Sequence, residues 1–198
     1  MIKKFELDLS SKIIAFGIEL FRVKALISFG NVKEGELGGY IAKEGNLSHY
    51  DNAWVYGNAR VSGNAWVSGD AEVSGNAWVS GDARVYGNAR VSGNAWVSGN
   101  AEVSDNAWVY GNARVSGNAW VSGNAEVSKL NDHIVFKNSW SSGRYFTYTR
   151  SNQKWRVGCF YGTSEELIKK AYQDSEDSGR HYEAYVNFVK TLEALDDK

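Results

Sequence analysis

Histidine and cysteine are the side chains of this sequence best suited to general-base and nucleophilic chemistry. They are His49, His133, His181 and Cys159. Only His49 stands next to a repeated stretch, and it is the sole candidate for a catalytic base, although the sequence shows no group that would orient it. We expect Cys159 to be a buried free thiol within a strand. No Cys or His pair has metal-ligand spacing, so we predict no metal, no cofactor and no catalytic residue.

Recognition by tryptophan and arginine is a second kind of chemistry, and residues 51–128 carry its candidates. Trp, Arg or Glu recurs there at every sixth position, and Trp and Arg are enriched at binding hot spots. Four Arg against seven acidic residues disfavour nucleic acid. We predict contact with a protein partner, a second copy of the chain or a glycan. Alternatively, the rings pack only against their neighbours in the repeat or are covered by the terminal domains. The predicted residues are Trp54, Trp66, Trp78, Trp96, Trp108, Trp120, Arg60, Arg84, Arg90 and Arg114.

A second candidate surface lies in residues 129–162, where six basic residues face one acidic residue. Aromatic residues alternate with the basic ones, a composition that suits an anionic or planar ligand. The acidic segment 163–198 offers the alternative that the charge is neutralised internally. The predicted binding residues of this face are Arg144, Tyr148, Arg150, Trp155 and Arg156.

The Trp and Arg residues of 51–128 are positioned by thirteen consecutive six-residue units of the form Gly/Asp–Asn/Asp–Ala–x–Val–x. Ala and Val stand two apart, so on an extended chain they share one side, and the residue between them points to the other side. Gly in eleven of the thirteen units and β-branched Val in all of them oppose a helix. Fixed-period repetition with a one-sided core predicts a β-solenoid.

Read as Val-x-Gly-Asn-Ala-x, the unit resembles the hexapeptide repeat of left-handed β-helices. That resemblance implies three units per coil, or eighteen residues. The outward residues then stack in three rows without adjacent like charges, but a two-sided coil of twelve residues also avoids them. Residues 51–74 recur almost unchanged at 105–128, an offset of 54, which is a whole number of coils only for eighteen. We therefore predict the triangular coil.

The flanking segments have different compositions, and we predict three domains. Residues 1–38 read as two or three strands that cap the first coil, with turns near Ser10-Ser11 and Gly17, or with a short helix at 13–17. Residues 39–128 form the solenoid and begin with degenerate units in which Leu47 takes the alanine position. Residues 129–198 read as a small α+β domain of three strands and two helices, and a capping-box pattern begins at Thr163.

Composition limits the functional classes. The net charge of −1 gives no global attraction to nucleic acid or an anionic membrane, and no apolar run reaches the ~18 residues of a membrane span. One cysteine excludes an internal disulfide and fits a reducing compartment. We expect a cytoplasmic protein with no membrane association.

Two further stretches carry family resemblances. Residues 29–61 and 140–186 resemble parts of phage and prophage hexapeptide-repeat proteins, some of which are labelled putative acetyltransferases. The resemblance implies a phage-encoded protein in a host cytoplasm. We predict a non-enzymatic scaffold or binding module. The alternatives are a divergent acyltransferase with an inter-subunit site around His49, and an inhibitor of a host defence system acting through the face at 129–162.

Overall fold

The computed structural model describes residues 3–196. The chain begins with three strands: β1 (Phe5–Ala15), β2 (Ile18–Ala25) and β3 (Leu37–Ile41). A short 3-10 helix at Glu44–Asn46 leads into the repeat. In the repeat, each unit contributes one two-residue strand made of its outward residue and its valine. These strands are β4 (Trp54–Val55), β5 (Arg60–Val61), β6 (Trp66–Val67), β7 (Glu72–Val73), β8 (Trp78–Val79), β9 (Arg84–Val85), β10 (Arg90–Val91), β11 (Trp96–Val97), β12 (Glu102–Val103), β13 (Trp108–Val109), β14 (Arg114–Val115), β15 (Trp120–Val121) and β16 (Glu126–Val127).

The repeat winds into a three-sided β-solenoid with eighteen residues per coil. Each repeat strand from β4 to β13 pairs in parallel with the strand three units later, as in Trp78↔Trp96 and Val79↔Val97. The first face contains β3-β5-β8-β11-β14, the second β4-β7-β10-β13-β16 and the third β6-β9-β12-β15. The predicted triangular coil is confirmed, and the twelve-residue alternative is wrong.

Alanine and valine fill the interior of the solenoid, as the pattern predicts. Every Ala and Val of the repeat is buried, with at most 1% of its surface exposed. The corners need backbone with positive φ, which most of the units supply with glycine. At Gly81 a side chain would also meet the backbone nitrogen of Gly99, 2.9 Å from the added carbon, because successive corners stack directly on each other.

The N-terminal segment is a hairpin that extends the first face. Strands β1 and β2 pair in antiparallel register and turn at Phe16-Gly17, both with positive φ, so the alternative of a helix at 13–17 is wrong. At Ser10-Ser11 the structure has a shift in strand register between Asp8 and Lys12 in place of the expected turn. Strand β2 then pairs with β3, and β3 pairs with the repeat strand β5.

Two side chains close the open backbone of the first coil. The Lys4 ammonium is buried and donates to the carbonyl oxygens of Ala53 (2.8 Å), Tyr50 (3.3 Å) and Asp51 (3.3 Å). The side-chain amide of Asn46 donates to the carbonyls of Gly63 and Ala65. These side-chain donors take the place of the backbone N–H groups that a preceding coil would supply.

Leu47 shows how the regular register is lost at this end. It forms a parallel bridge with Val67 and is fully buried. It therefore takes a valine position, and its predicted placement in an alanine position is wrong. The separation of twenty residues between the bridged partners exceeds the regular eighteen, because the 3-10 helix and the loop after it interrupt the repeat.

The C-terminal segment is an antiparallel sheet packed against two helices. Its strands are β17 (His133–Lys137), β18 (Tyr145–Thr149), β19 (Lys154–Val157) and β20 (Phe160–Gly162), after a 3-10 helix at Leu130–Asp132. The helices are α1 (Ser164–Asp174) and α2 (Glu176–Asp196). The predicted capping box at Thr163 and Glu166 is present. The prediction of three strands is wrong, because the single strand expected at 155–161 turns back at Gly158-Cys159.

Side-chain oxygens close the last coil. Backbone N–H groups that have no following coil donate to Thr147 Oγ1 from Trp120 (2.9 Å) and to Ser151 Oγ from Glu126 (2.7 Å). The Asp132 carboxylate accepts from the backbone and hydroxyl of Ser128. Burial raises the pKa of Asp132, but these hydrogen bonds outweigh it and the net pKa is lowered. The solenoid is thus ended by polar side chains at both ends.

Candidate functional site

The three outward rows have the predicted order. On the first face Arg60, Trp78, Trp96 and Arg114 are consecutive pairing partners. The second face carries Trp54, Glu72, Arg90, Trp108 and Glu126. The third carries Trp66, Arg84, Glu102 and Trp120. The predicted residues are therefore distributed over three sides of a prism.

Half of the six tryptophans are covered by other parts of the chain. Trp54 is completely buried, because Phe5 and Phe29 of the N-terminal segment pack against its ring, with ring centroids 6.3 and 5.3 Å from that of Trp54. Trp78 is 9% exposed, and the ring of Phe16 at the hairpin tip lies 4.7 Å from it. The expectation that these two rings are exterior surface is wrong, and for them the alternative of cover by a terminal segment holds.

Trp120 is covered from the opposite end of the solenoid. The guanidinium of Arg156 lies 3.7 Å from its ring centroid, and the ring is half-buried. Arg156 is thus engaged within the chain. Cation–π contacts also join Arg60 to Trp78 and Arg114 to Trp96 on the first face.

The three exposed tryptophans lie on three different faces. Trp66 on the third face is 45% exposed, Trp96 on the first face 37%, and Trp108 on the second face 41%. The exterior rows do not form one continuous aromatic surface. Any contact that uses one exposed ring must therefore draw its other residues from the same face.

The second face holds a groove around Trp108, which we call the Trp108 groove. Its volume is about 280 Å³. The row of outward residues forms one side, and the stacked asparagines of the adjacent corner form the other. The lining residues are Asn88, Arg90, Asn106, Trp108, Asn124 and Glu126.

Asparagines of successive coils form a hydrogen-bonded ladder along this groove. The Asn88 amide donates to Asn106 Oδ1 over 3.2 Å, and the Asn106 amide donates to Asn124 Oδ1 over 3.4 Å. A primary amide has two donor hydrogens and two acceptor lone pairs. Within residues 3–196, the ladder uses one donor hydrogen and one lone pair of the Asn106 amide and leaves one of each without a partner.

The indole of Trp108 is fixed from two sides. Its Nε1 donates to Ser92 Oγ of the preceding coil over 3.0 Å, and the ring of Tyr110 lies 4.4 Å away at an angle of 33°. Arg90 and Glu126 precede and follow Trp108 in the row, so the groove carries one positive and one negative charge. Trp108 is a rigid aromatic platform between two planar polar groups.

A second groove on the third face has a related composition. It is lined by Asn100, Glu102, Asn118, Ala119, Trp120, Arg144 and Tyr145. Here the aromatic ring is already covered by Arg156, as described above. The exposed residues Arg144 and Tyr145 extend this groove beyond the solenoid.

His49, the candidate base, has both ring nitrogens engaged. Nδ1 accepts from the backbone N–H of Lys4 over 3.2 Å, and Nε2 lies 2.7 Å from the Glu44 carboxylate. The imidazole also stacks on Phe5 at 4.2 Å. The hydrogen bond from His49 is the main cause that lowers the pKa of Glu44. The sequence did not reveal this carboxylate partner, but the arrangement leaves no ring nitrogen free to accept a substrate proton.

The predicted aromatic-basic face of residues 129–162 is not assembled. Trp155 and Tyr148 are buried in the core between the C-terminal sheet and helices, so their expected exposure is wrong. Arg150 pairs with Asp196 of α2. Of the five predicted residues, only Arg144 is fully exposed. Sequence reasoning placed the aromatic residues outward because it did not anticipate that α1 and α2 would cover this side of the sheet.

Cys159 is exposed, which corrects the expectation of a buried thiol. It lies on the tight turn between β19 and β20, beside Gly158 with φ of 58°. Apolar residues alternate across 155–161 as in a single strand, so the sequence did not indicate this turn. Sequence reasoning also missed an apolar groove of about 320 Å³, lined by Phe136, Ala184, Tyr185 and the exposed Phe188.

Among residues 3–196, no group of three or more His, Cys, Asp or Glu side chains is arranged to hold a metal ion. Of the helices in this range, neither has both the length and the apolar character to cross a membrane.

Comparison with protein families supports the repeat architecture. A model described as YdcK beta solenoid repeat matches residues 53–69, 83–99 and 107–123. All three matches lie within the thirteen-unit repeat, so the chain is similar to that repeat and is a β-solenoid repeat protein. A search of curated proteins gave no match.

Proposed function

We propose that this protein is a non-enzymatic binding module whose contact site is the Trp108 groove. One observation carries the proposal: Trp108 is an exposed, fixed aromatic ring in a groove with unused hydrogen-bonding groups. Trp54 and Trp78 are buried, and the chain's own Arg156 covers Trp120. Trp and Arg are the residue types that contribute most at binding sites, and Arg90 stands beside the ring.

The engagement of His49 supports the non-enzymatic part of the proposal. A general base needs a free lone pair within reach of the substrate and a pocket around it. Both ring nitrogens of His49 are engaged, one with the backbone of Lys4 and the other with Glu44, and its side chain is 17% exposed. These contacts give His49 a role in packing the N-terminal segment, and this role involves no substrate chemistry.

The regular coil supports a role as a rigid scaffold for this groove. Backbone hydrogen bonds connect each coil to the next, for example from Arg90 N to Ala107 O over 2.9 Å. Bonded neighbours therefore fix the positions of Arg90, Trp108 and Glu126 relative to one another. A pre-organised site loses little conformational entropy on binding.

The proposal is tested by screening the full-length chain against an immobilised glycan array and a displayed random-peptide library, with sedimentation velocity for self-association. Trp108→Ala is the test variant. Trp66→Ala is the matched control, because Trp66 is similarly exposed on another face. We expect at least one binder or self-association that Trp108→Ala removes and Trp66→Ala keeps. No binding of any kind, or binding that survives Trp108→Ala, would overturn the proposal.

A further inference from the structure

On the basis of the proposed function, we infer that the ligand of the Trp108 groove is a neutral linear polysaccharide lying along the solenoid axis. The inference joins three features of the groove: a flat exposed indole, a ladder of amides and a balanced pair of charges. Each matches one part of a pyranose chain. Their arrangement in successive coils matches the repetition of the sugar units.

The aromatic platform matches the less polar face of a sugar ring. Trp108 is held in place by Ser92 and Tyr110, so ligand stacking requires no ordering of its side chain. A pyranose presents aliphatic C–H groups on its ring face, and these pack on an aromatic surface.

The asparagine ladder matches the sugar hydroxyls. A hydroxyl both donates and accepts hydrogen bonds, and among residues 3–196 the Asn106 amide keeps one donor hydrogen and one lone pair without a partner. The same residue type recurs one coil before and one coil after, at Asn88 and Asn124. Coils are ~4.8 Å apart, as adjacent strands are, and this spacing is similar to the length of one pyranose unit.

The charges favour a neutral ligand over an ionised one. Arg90 and Glu126 flank the platform with opposite sign, and the row continues with Glu72 beside Arg90 at 3.8 Å. A polyanion would meet Glu126 and Glu72, and a polycation would meet Arg90. Neutral hydroxyls accept from the guanidinium and donate to the carboxylate, so both charged groups favour such a ligand.

A protein ligand fits the groove less well than a polysaccharide does. Hot spots of protein interfaces are desolvated pockets that enclose an apolar anchor. The lining here is three amides, one guanidinium, one carboxylate and one indole, and it offers no apolar pocket. Protein binding is therefore an outcome of the test against this inference.

The test uses the full-length chain and a panel of soluble or solubilised neutral polysaccharides: cellulose, xylan, mannan, chitin, β-1,3-glucan and amylose. Retardation in affinity gels selects the ligand, and calorimetry with its hexasaccharide gives the affinity. We expect at least one panel member to bind, Trp108→Ala to weaken binding at least about tenfold, and Trp66→Ala to change it less than about twofold.

Asn106→Asp provides the second variant, because this chain already has Asp in two other corner ladders. Asp70 accepts from Asn52 and Asp82 accepts from Asn64, so the exchange is compatible with the coil. It removes both donor hydrogens at the centre of the groove. We expect binding to weaken about threefold to tenfold. The melting temperature should fall only modestly, because the variant loses the single ladder bond from Asn106 to Asn124.

The outcomes of failure separate the two proposals. If no polysaccharide binds but a peptide or a second copy binds through Trp108, the polysaccharide inference is overturned and the proposed function stands. If polysaccharides bind equally well to the wild type and to Trp108→Ala, the groove is not their site and the inference is overturned. If no probe depends on Trp108, both proposals fail.

Discussion

Trp96 Nε1 donates a hydrogen bond to Ser80 Oγ over 3.2 Å, although the two residues are sixteen positions apart. Ser80 follows Trp78 by two positions, and Trp78 is the coil neighbour of Trp96. An outward side chain therefore reaches back to the last residue of the stacked unit. The same bond joins Trp78 to Ser62, Trp108 to Ser92 and Trp120 to Ser104.

Tyrosine replaces serine at this position where the next coil carries glutamate. The hydroxyl of Tyr86 donates to Glu102 over 2.9 Å, and Tyr110 stands 3.5 Å from Glu126 in the same way. A short hydroxyl reaches the indole of a long tryptophan, whereas a shorter glutamate needs the longer tyrosine. The two variable positions of the repeat are thus matched between coils.

We expect Ser80→Ala to lower the free energy of unfolding by about 1 kcal/mol, the usual contribution of one hydrogen bond. Ser98→Ala is the matched control, because Ser98 is similarly half-buried in the same unit position but is followed sixteen residues later by Arg114. Urea titration followed by circular dichroism measures both variants. Equal losses would show that the indole bond contributes nothing to stability.

The sequence was sufficient for the coil because every unit repeats the same local geometry. The predicted strand register stays correct along the repeat because Val91, Val109 and their equivalents recur without an insertion. Exposure was harder to predict, since Trp54 and Trp108 have the same local sequence but differ in what covers them. The covering residues Phe5 and Phe29 are distant in sequence, and no periodic pattern links them to Trp54.

The candidate groove was only partly predictable for the same reason. Arg90 and Trp108 were predicted as binding residues from their type and spacing. Contact between the asparagines is not visible within one unit, although an offset of eighteen places Asn88 beside Asn106 once the coil length is known. In the C-terminal sheet, the outward placement of Trp155 failed because alternation cannot tell which side of a sheet the helices cover.

Burial of Trp54 predicts a large effect of its removal. We expect Trp54→Ala to destabilise the protein by about 3–5 kcal/mol, as for other fully buried aromatic residues. The matched variant Trp66→Ala, whose ring is 45% exposed, should cost less than about 1 kcal/mol. Thermal unfolding of the two variants under one set of conditions gives the comparison. A similar melting temperature for both would contradict the burial of Trp54.

Lys4 donates hydrogen bonds to three carbonyls of the first coil, and its loss should favour local unfolding at that end. We expect Lys4→Met to cost about 1–3 kcal/mol, since the methionine fills the space but leaves buried carbonyls without donors. Lys12→Met is the control, because Lys12 is exposed and pairs only with the exposed Glu19. Hydrogen exchange should show faster opening of the first coil in Lys4→Met. Unchanged exchange there would contradict the capping role.

Tyr148 predicts a loss of stability in alkaline solution. Burial first, and then its hydrogen bond to Glu193, raise the pKa of Tyr148 above its ordinary value of 10.0. The unfolded chain releases this proton near pH 10, so the contribution is intact below that pH and is lost as the pH rises above it. The expected loss is about 1.4 kcal/mol per pH unit.

A second group opposes this trend and must be separated from it. Burial lowers the pKa of Lys4 to about 8, so Lys4 makes the folded state more stable as the pH rises from about 8 to 10.5. Tyr148→Phe keeps Lys4 and removes only the tyrosine. The difference in unfolding free energy between the wild type and Tyr148→Phe should therefore shrink above pH 10. A constant difference from pH 9 to 11 would contradict the raised pKa.

The interior of the solenoid predicts the most severe substitution. Val91 is completely buried in the middle of the coil, between Val73 and Val109, and no described group there could pair with a charge. We expect Val91→Asp to cost more than about 4 kcal/mol, because a buried unpaired carboxylate is among the most destabilising changes known. Arg114→Asp places the same carboxylate on the exposed side of β14, on another face of the solenoid, and should cost less than about 1 kcal/mol. Each coil is stabilised only by its neighbours, so the damage should spread along the solenoid. Far-ultraviolet circular dichroism should show loss of the β signal for Val91→Asp alone, and a folded Val91→Asp protein would mean that the valines do not face inward.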